Sequence, residues 1–343
     1  MNEIEIIDPC TSPVWLDFVT QHPDAGIFHH PVWLRLLNRI YGYRTFGVCL
    51  MDKGKIVSGI PFMEVRSWIT GRRWISVPFS DHCKPLLSSA QHATLLLQYL
   101  AEKISKEIPR IEIRWGIESG VHVYKEANFV NHSLTLCPTP DIVFKTFKKT
   151  QVQQPILKAM REGVEVTECK TIYEFARFYD LQVDTRKRLG VPAQPGKFFR
   201  AIWDDIVVPR HGFALLASRE TKVIGGAVFF SFAGRVTYKY AASDYSQRAF
   251  KANDVILWEA IKKACESGAT TFDFGRSEKK NVGLRTFKNG WGTAESDLDY
   301  TILSTSPPTP SNDTKDKLVA RVIRNAPKFV CRLSGEILYK HYA

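Results

Sequence analysis

The chain reads as two tandem α/β halves, each a mixed, mainly antiparallel sheet flanked by helices, with an amphipathic helix after them. Three observations predict this. A length of 343 residues suits two domains. Apolar content of 44% and charged content of 24% belong to a folded chain and not to a disordered one. One order of elements (strand hairpin, strand, polar loop, helix, strand) occurs twice, near 45–115 and near 213–276, and both polar loops open on Ser-Asp, at Ser80-Asp81 and Ser243-Asp244. The copies share almost no residues, so the repeat is one of pattern. Helices packed over mixed sheets are the expected solution for it.

The elements follow in order. Ile4 to Ile7 form a short strand, and Ser12-Pro13 opens a helix with Trp15, Phe18 and Val19 on one face. The run H-H-P-V-W-L-R-L-L-N-R-I-Y gives a second helix, its proline at a tolerated first-turn position and Trp33, Leu36, Leu37 and Ile40 as its buried stripe. Thr45–Met51 and Lys55–Glu64 are strands joined at Asp52-Lys53-Gly54, a hairpin signal. A strand at 73–77, a helix over 88–107 and a strand at 110–115 complete the first set. The segment 141–163 is helical and basic, with Pro155 dividing it into two helices or kinking one. A strand at 164–167, a strong helix at 172–189 and another at 197–208 lead into the second set, with strands at 213–218, 222–232 and 235–242.

The next helix has Asn253 or Asp254 as its expected cap, a stripe of Val255, Leu257, Trp258, Ile261, Ala264 and Cys265, and Gly268 as its stop. In the strand that follows, Thr271, Asp273 and Gly275 alternate against Phe272 and Phe274. A last strand runs over 299–303. This divides the chain into a first half over 1–140, a second over 141–303, and a linker with a basic tail over 304–343. In the tail Lys317, Arg321, Arg324, Lys328 and Arg332 step by three or four, Val319, Val322, Ile323, Phe329, Val330 and Leu333 largely take the other side, and Pro327 breaks the helix. Such a helix either lies on an acidic bilayer or docks its apolar side on the protein.

Composition narrows the function. No apolar run is long enough to cross a bilayer, and the acidic start lacks the order of a secretory signal. Seven scattered cysteines without a C-x-x-C suit reduced thiols, so the expected location is cytoplasmic, with the tail as the one route to a membrane surface. A net charge of +12 favours anionic partners: nucleic acid, phosphorylated precursors or an anionic membrane face. No zinc spacing, P-loop, dinucleotide fingerprint or serine-hydrolase elbow occurs, so no metal and no permanently bound cofactor is expected.

The chemistry concentrates between Asn253 and Gly292. There N-D-V-I-L-W-E-A-I is followed by F-D-F-G-R-S and then F-K-N-G-W-G, which gathers Asp273, Gly275, Arg276 and Ser277 at a strand end and returns with Phe287, Lys288 and Trp291. This ordered set resembles the Fem-type (FemAB-like) aminoacyl- and acyltransferases, a branch of the GNAT superfamily built from two GNAT-like halves; the resemblance extends more weakly over 30–303. It implies transfer of an acyl or aminoacyl group to an amine of a peptidoglycan or polysaccharide precursor, with aminoacyl-tRNA or acyl-CoA as donor. An amine attacks an ester or thioester directly, so no covalent enzyme intermediate is needed; the protein orients the reactants and stabilises an oxyanion and a leaving group.

In that family the pair matching Phe287-Lys288 lies at the acyl-donor end, which makes Lys288 the candidate for stabilising the leaving group; the alternative is a solvated lysine near a helix end. Arg186 and Arg188 with Tyr238 and Tyr240 resemble the family's contacts to a phosphorylated acceptor; the alternative for the arginines is a basic helix end satisfying its own carbonyls. Asp81-His82 offers a carboxylate beside an imidazole for acceptor binding or proton relay, or simply a capped turn. Asn253, Asp273, Arg276, Phe287 and Trp291 complete the substrate-binding candidates. One departure concerns the donor: where acetyl-CoA-dependent GNAT proteins carry a glycine-rich pyrophosphate loop, this chain reads Q-R-A-F-K-A-N. That leaves aminoacyl-tRNA favoured, with an acyl-CoA-dependent N-acyltransferase acting on a sugar or small amine as the alternative. A non-enzymatic nucleic-acid-binding or membrane-surface protein is the reading from another class.

Overall fold

The computed structural model describes residues 3–104, 106–118, 123–307 and 320–341. The chain divides into two compact units: Met1–Val130 with Asp297–Ser311 and Lys340–Ala343, and Asn131–Ser296 with Asn312–Tyr339.

The first unit begins with β1 (Glu3–Ile7) and α1 (Pro13–Gln21), where the Ser12 hydroxyl accepts from the Trp15 amide. Then come α2 (Pro31–Tyr41), β2 (Arg44–Asp52), β3 (Lys55–Ser67), β4 (Gly71–Ile75), α3 (Ala90–Lys103) and β5 (Arg110–Ile113). β1, β2, β3 and β4 pair antiparallel in sequence, with a bulge in the β2/β3 hairpin at Leu50/Met51. α3 carries the chain over the sheet so that β5 lies parallel to β4, and only Trp74↔Ile111 and Ile75↔Glu112 are in register. Phe46, Val48, Leu50, Ile60 and Phe62 pack beneath Leu96, Leu97 and Leu100 of α3.

The second unit repeats this plan. After β6 (Tyr124–Thr135), α4 (Pro140–Thr146) and α5 (Gln154–Arg161) come β7 (Val164–Glu168), α6 (Ile172–Leu189), α7 (Gly196–Ile202), β8 (Gly212–Arg219), β9 (Lys222–Phe232), β10 (Arg235–Ser243), α8 (Ala252–Glu266), β11 (Thr271–Glu278) and α9 (Val282–Asn289). β7 to β10 pair antiparallel, again with a bulge in the central hairpin, at Ala217/Ser218. α8 then crosses over, and β11 lies parallel to β10 for three residues, Arg235↔Thr271 to Thr237↔Asp273. Pro155 stands in the first turn of α5, so the basic segment is two helices. All six stripe residues of α8 are buried, against Phe213, Leu215, Phe229 and Phe272.

Three expectations are corrected. β6 lies where the sequence pattern indicated no element. α8 begins one residue early, at Ala252, and its N-cap is Lys251 with φ +55 and no side-chain cap bond, so neither Asn253 nor Asp254 caps it. β11 does not alternate between core and solvent, since Phe272, Asp273, Phe274 and Gly275 are all buried.

β6 and β12 (Ala294–Ser304) are each divided between the units, and residues 297–303, read as the end of the second half, belong to the first. Within that unit β12 pairs antiparallel with β5 from Thr301↔Ile113 to Ser304↔Arg110. Most of the expected linker, with Lys317 and Val319, lies outside the described residues. Beyond it, a helical segment over 320–325 ends before Pro327, and α10 (Lys328–Leu338) follows. α10 docks on α6. Ile323 and Cys331 join Val183 and Ala193 in a small core. Gly335 passes so close to Ala193 that a Cβ there would meet its carbonyl oxygen at 1.6 Å. Lys328 pairs with Asp184 at 2.6 Å, and Arg332 pairs with Asp180. Two members of the cationic stripe thus pair with α6 carboxylates while staying exposed to solvent. Among the described residues no helix is long and apolar enough to cross a membrane.

Candidate functional site

The site grows from the end of the parallel pair in the second unit. The Asp273 carboxylate accepts the Gly275 amide at 2.8 Å, and Gly275 takes φ +69. Only a glycine enters that region without strain, so the Asp-Phe-Gly triplet bends β11 just where its register with β10 ends. The bend turns backbone carbonyls out of the ladder, and a buried carbonyl needs a donor. Lys288, in the last turn of α9, supplies one: its Nζ donates to the Gly275 and Arg276 carbonyls at 2.8 and 2.9 Å. Lys288 is only 5% exposed, which excludes the solvated-lysine alternative. α9 is aimed by its ends. The Asn281 side chain accepts from the Leu284 amide at 3.1 Å, and Gly292, at φ +71, lies where a Cβ would meet Thr146 Oγ1 at 2.8 Å. F-D-F-G and F-K-N-G-W-G are therefore one device: a bent strand and the ammonium that holds the bend.

Around this device lie residues that sequence reasoning missed, chiefly on β6. Asn131 donates to Asp273 Oδ1 at 3.3 Å. His132 is fully buried, and its Nδ1 donates to Asn289 Oδ1 at 3.2 Å, which leaves Nε2 as the acceptor nitrogen. Nε2 stands 3.7 Å from Glu295 Oε2, and Arg285 holds Glu295 through bonds of 3.1 and 2.7 Å. Burial, and after it the Lys288 ammonium, depresses the His132 pKa below its ordinary value, so the ring is neutral at pH 7. A neutral imidazole adds no like charge beside the lysine. The Arg285 bond likewise draws Glu295 below the usual carboxylate range. Among the described residues, Asn131 Oδ1, His132 Nε2 and Ser277 Oγ are buried without a hydrogen-bond partner from the protein. The signal that could have found β6 is a period of two in Val130, His132 and Leu134, all buried.

The other candidates fall elsewhere. Trp291 is fully buried among Phe147, Phe274 and Phe287, and Phe287 is partly buried beside it, so both are packing residues here. A bulge in β10 between Tyr238 and Tyr240 turns the two rings to opposite faces of the sheet. Tyr238 stacks on Phe229 at 5.5 Å inside the core, and Tyr240 meets Phe199 of α7 at 5.3 Å. Arg186 donates to the Pro192 carbonyl at 3.1 Å, closing the end of α6. Arg188 is exposed and lies over the Tyr245 ring at 4.7 Å, while Arg248 lies over the same ring at 4.4 Å. Asn253 is half-buried with its Oδ1 unpartnered, and the next residue, Asp254, has its carboxyl pushed up by burial to about 6. Asp81 and His82 lie in the first unit, on the loop after β4. The Asp81 carbonyl accepts from Tyr300 Oη at 2.6 Å, and the His82 ring packs edge-on against Phe28 and Trp115.

Two units of the same plan, each with a short parallel pair beyond an antiparallel run, have the architecture of a tandem GNAT-like fold. The family model described as an acetyltransferase (GNAT) domain matches residues 149–289. Among solved structures, the crystal structure of FemX superposes with a TM-score of 0.68 at 15% identity, covering 87% of this chain and 96% of that one. A tandem GNAT protein from the clavulanic acid biosynthesis pathway gives 0.55 at 10% identity, covering 90% and 100%. A lipid II:glycine glycyltransferase of Staphylococcus epidermidis is 36% identical over 76 residues, 20% of this chain and 18% of that protein. The Staphylococcus haemolyticus enzyme of the same name is 35% identical over 86 residues, 23% and 20%. The matched segments thus span about a fifth of the curated relatives. Over these stretches the chain is similar to the GNAT acetyltransferase domain and to the lipid II:glycine glycyltransferases, and its fold is that of FemX.

Proposed function

We propose that the chain is an acyltransferase that forms an amide on an amine of a cell-envelope precursor, with a lipid-linked peptidoglycan precursor as acceptor and an aminoacyl-tRNA as donor. The observation that carries this is the buried Lys288 ammonium at the bend of β11. Beyond Thr237 and Asp273 the two parallel strands no longer pair, and unpaired strand backbone is what an extended donor bearing amides can add to. The amine nitrogen attacks the donor's carbonyl carbon, the carbon–oxygen bond breaks, and the departing oxygen leaves with a proton. Lys288 Nζ, already aimed at two oxygens, supplies the positive charge for the developing anion. The relatives named lipid II:glycine glycyltransferases support the acceptor class. A net charge of +12 suits an anionic acceptor and a nucleic-acid donor alike.

The second reading, an acyl-CoA donor, draws support from the tandem GNAT fold. Against it stands the turn before α8. Tyr245–Phe250 form one helical turn with bulky side chains, Lys251 takes φ +55, and the Asp254 carboxyl sits in the first turn of α8, where a pyrophosphate would seek the helix N-terminus. A side-chain cation is present at this place, Arg248 over the Tyr245 ring. The test is transfer by the purified chain, with lipid-linked precursor as acceptor and charged tRNA or acyl-CoA as donor, alongside thermal-shift titration of each donor. Tight, saturable coenzyme A binding with transfer from acyl-CoA alone would install the second reading. Equal, steeply salt-dependent binding of tRNA and DNA with no transfer would favour a nucleic-acid-binding protein.

A further inference from the structure

α10 docks on α6 in an orientation that leaves an apolar stripe outward. Phe329, Leu333 and Ile337, spaced by four, are 66%, 56% and 56% exposed, while Cys331 and Gly335 face inward. The inward side fixes the helix through the Gly335 contact with Ala193 and the Asp180 and Asp184 ion pairs, so the stripe is preformed and its display costs no ordering. Residues 320–341 carry five basic side chains (Arg321, Arg324, Lys328, Arg332 and Lys340) and one acidic, Glu336. Glu336 is exposed but engaged, accepting from the Gly196 amide at 2.9 Å and pairing with Lys197 at 3.9 Å.

We propose that this outer face of α10 binds an anionic lipid bilayer, with Phe329, Leu333 and Ile337 entering the interfacial region and the surrounding cations meeting the headgroups. Charge selects this occupant over an apolar protein groove, since the stripe is flanked by exposed Arg321, Arg324, Lys328 and Arg332 while its one carboxylate is engaged by the Gly196 amide and Lys197. Area argues against a second copy of the chain: three side chains at these exposures offer roughly 300 Å², well under the ~800 Å² per partner of a stable interface. The choice of a bilayer also rests on the proposed function in one respect, because an acceptor carried on a lipid has to be met at a membrane.

The test uses the full chain and vesicles without any acceptor, so its outcome is independent of whether transfer occurs. Co-sedimentation is measured with vesicles of phosphatidylcholine alone and with added phosphatidylglycerol, at low and high salt, for the native chain and for F329S/L333S/I337S. A chain this basic adheres to anionic vesicles by charge alone at low salt, so the high-salt arm is the one that decides. The native chain is expected to bind phosphatidylglycerol vesicles in both arms, and the variant to partition at least about tenfold more weakly at high salt. These side chains are exposed, so the variant keeps the native Tm. In Phe329→Trp, the added fluorescence is expected to shift blue and to be quenched by brominated lipid. Equal partitioning of native chain and variant would overturn the proposal. So would a solution dimer, seen by light scattering, that the triple variant dissolves, since the face would then be an interface between copies.

Discussion

Replacing Lys288 by Met separates the two tasks that the structure gives this residue. Its ammonium satisfies two carbonyls at 2.8 and 2.9 Å in a buried site. Hydrogen bonds to a charged group contribute about 1.5–3 kcal/mol each, and the desolvation of the ammonium, which Met avoids, offsets part of that. A net destabilisation of about 2–4 kcal/mol is therefore expected, which for a unit of this size lowers Tm by roughly 4–16 °C. If the same charge also stabilises the leaving group, kcat should fall by about 10²–10³, the range for losing one preorganised electrostatic contact. Both are measured on one preparation: Tm by calorimetry, and kcat with a verified donor well below the variant's Tm. A lowered Tm with unchanged kcat would confine Lys288 to holding the bend and remove it from the chemistry. An unchanged Tm would refute the geometric account itself.

Two pH effects of opposite sign are expected from buried groups. Asp254 has a folded pKa of about 6 against an ordinary 3.8, so its contribution is complete below pH 3.8 and lost as pH rises through 6; Asp254→Asn should raise Tm relative to the parent above pH 6 and leave it unchanged near pH 4. The His132 pKa is depressed, so its contribution is present above 6.5 and lost as pH falls; His132→Gln should flatten the decline of Tm between pH 7 and 5, and an unaltered slope would contradict its burial as a neutral ring. Arg188→Ala is expected to raise the acceptor KM more than it lowers kcat, and a change confined to donor affinity would move Arg188 to the donor. Arg186→Ala, which removes the bond to the Pro192 carbonyl, should lower Tm by a few degrees, as a calorimetric scan would show.

The regular elements were legible because apolar spacing and punctuation agree along most of the chain: Ser12-Pro13 and Thr171 open helices, and Gly42 and Gly190 close them. β6 was not. Its inward set includes His132 among Val130 and Leu134, and a buried histidine hides the period of two that marks a strand. With β6 went Asn131 and His132, which reach Asp273 and Asn289 over more than a hundred residues, a proximity no local spacing encodes. The motif at Asp273 and Lys288 was legible as a cluster, yet its physical meaning was not, because the need for a lysine arises only once Gly275 has turned two carbonyls out of the ladder. The tail shows the same limit. Its amphipathic spacing was plain, but which side faces inward depends on distant residues: Val183 and Ala193, which pack against Cys331 and Gly335, and Asp180 and Asp184, which pair with the cations.

The repeat also bears on the proposed donor site. In the first unit the parallel pair of β4 and β5 ends at Ile75 and Glu112, and the loop after β4 then fills the gap. The Ser76 amide donates to the Glu112 carbonyl, the Arg114 amide to Ser76 Oγ, the Arg114 guanidinium to the Ser80 carbonyl, and the Cys83 amide to the Arg114 carbonyl. To fold back so tightly the loop accepts positive φ at Val77 and Phe79, a cost that non-glycine residues bear only when the surroundings impose it. The second unit reaches the same point in its topology and does the opposite. A glycine provides the positive φ without strain, and a long side chain, not a loop, satisfies the freed carbonyls. A gap filled by its own backbone admits no donor, whereas one held by a flexible ammonium can exchange those two carbonyls for a substrate oxygen. That difference, and not the fold that the two units share, is the argument for the donor site proposed in the second unit.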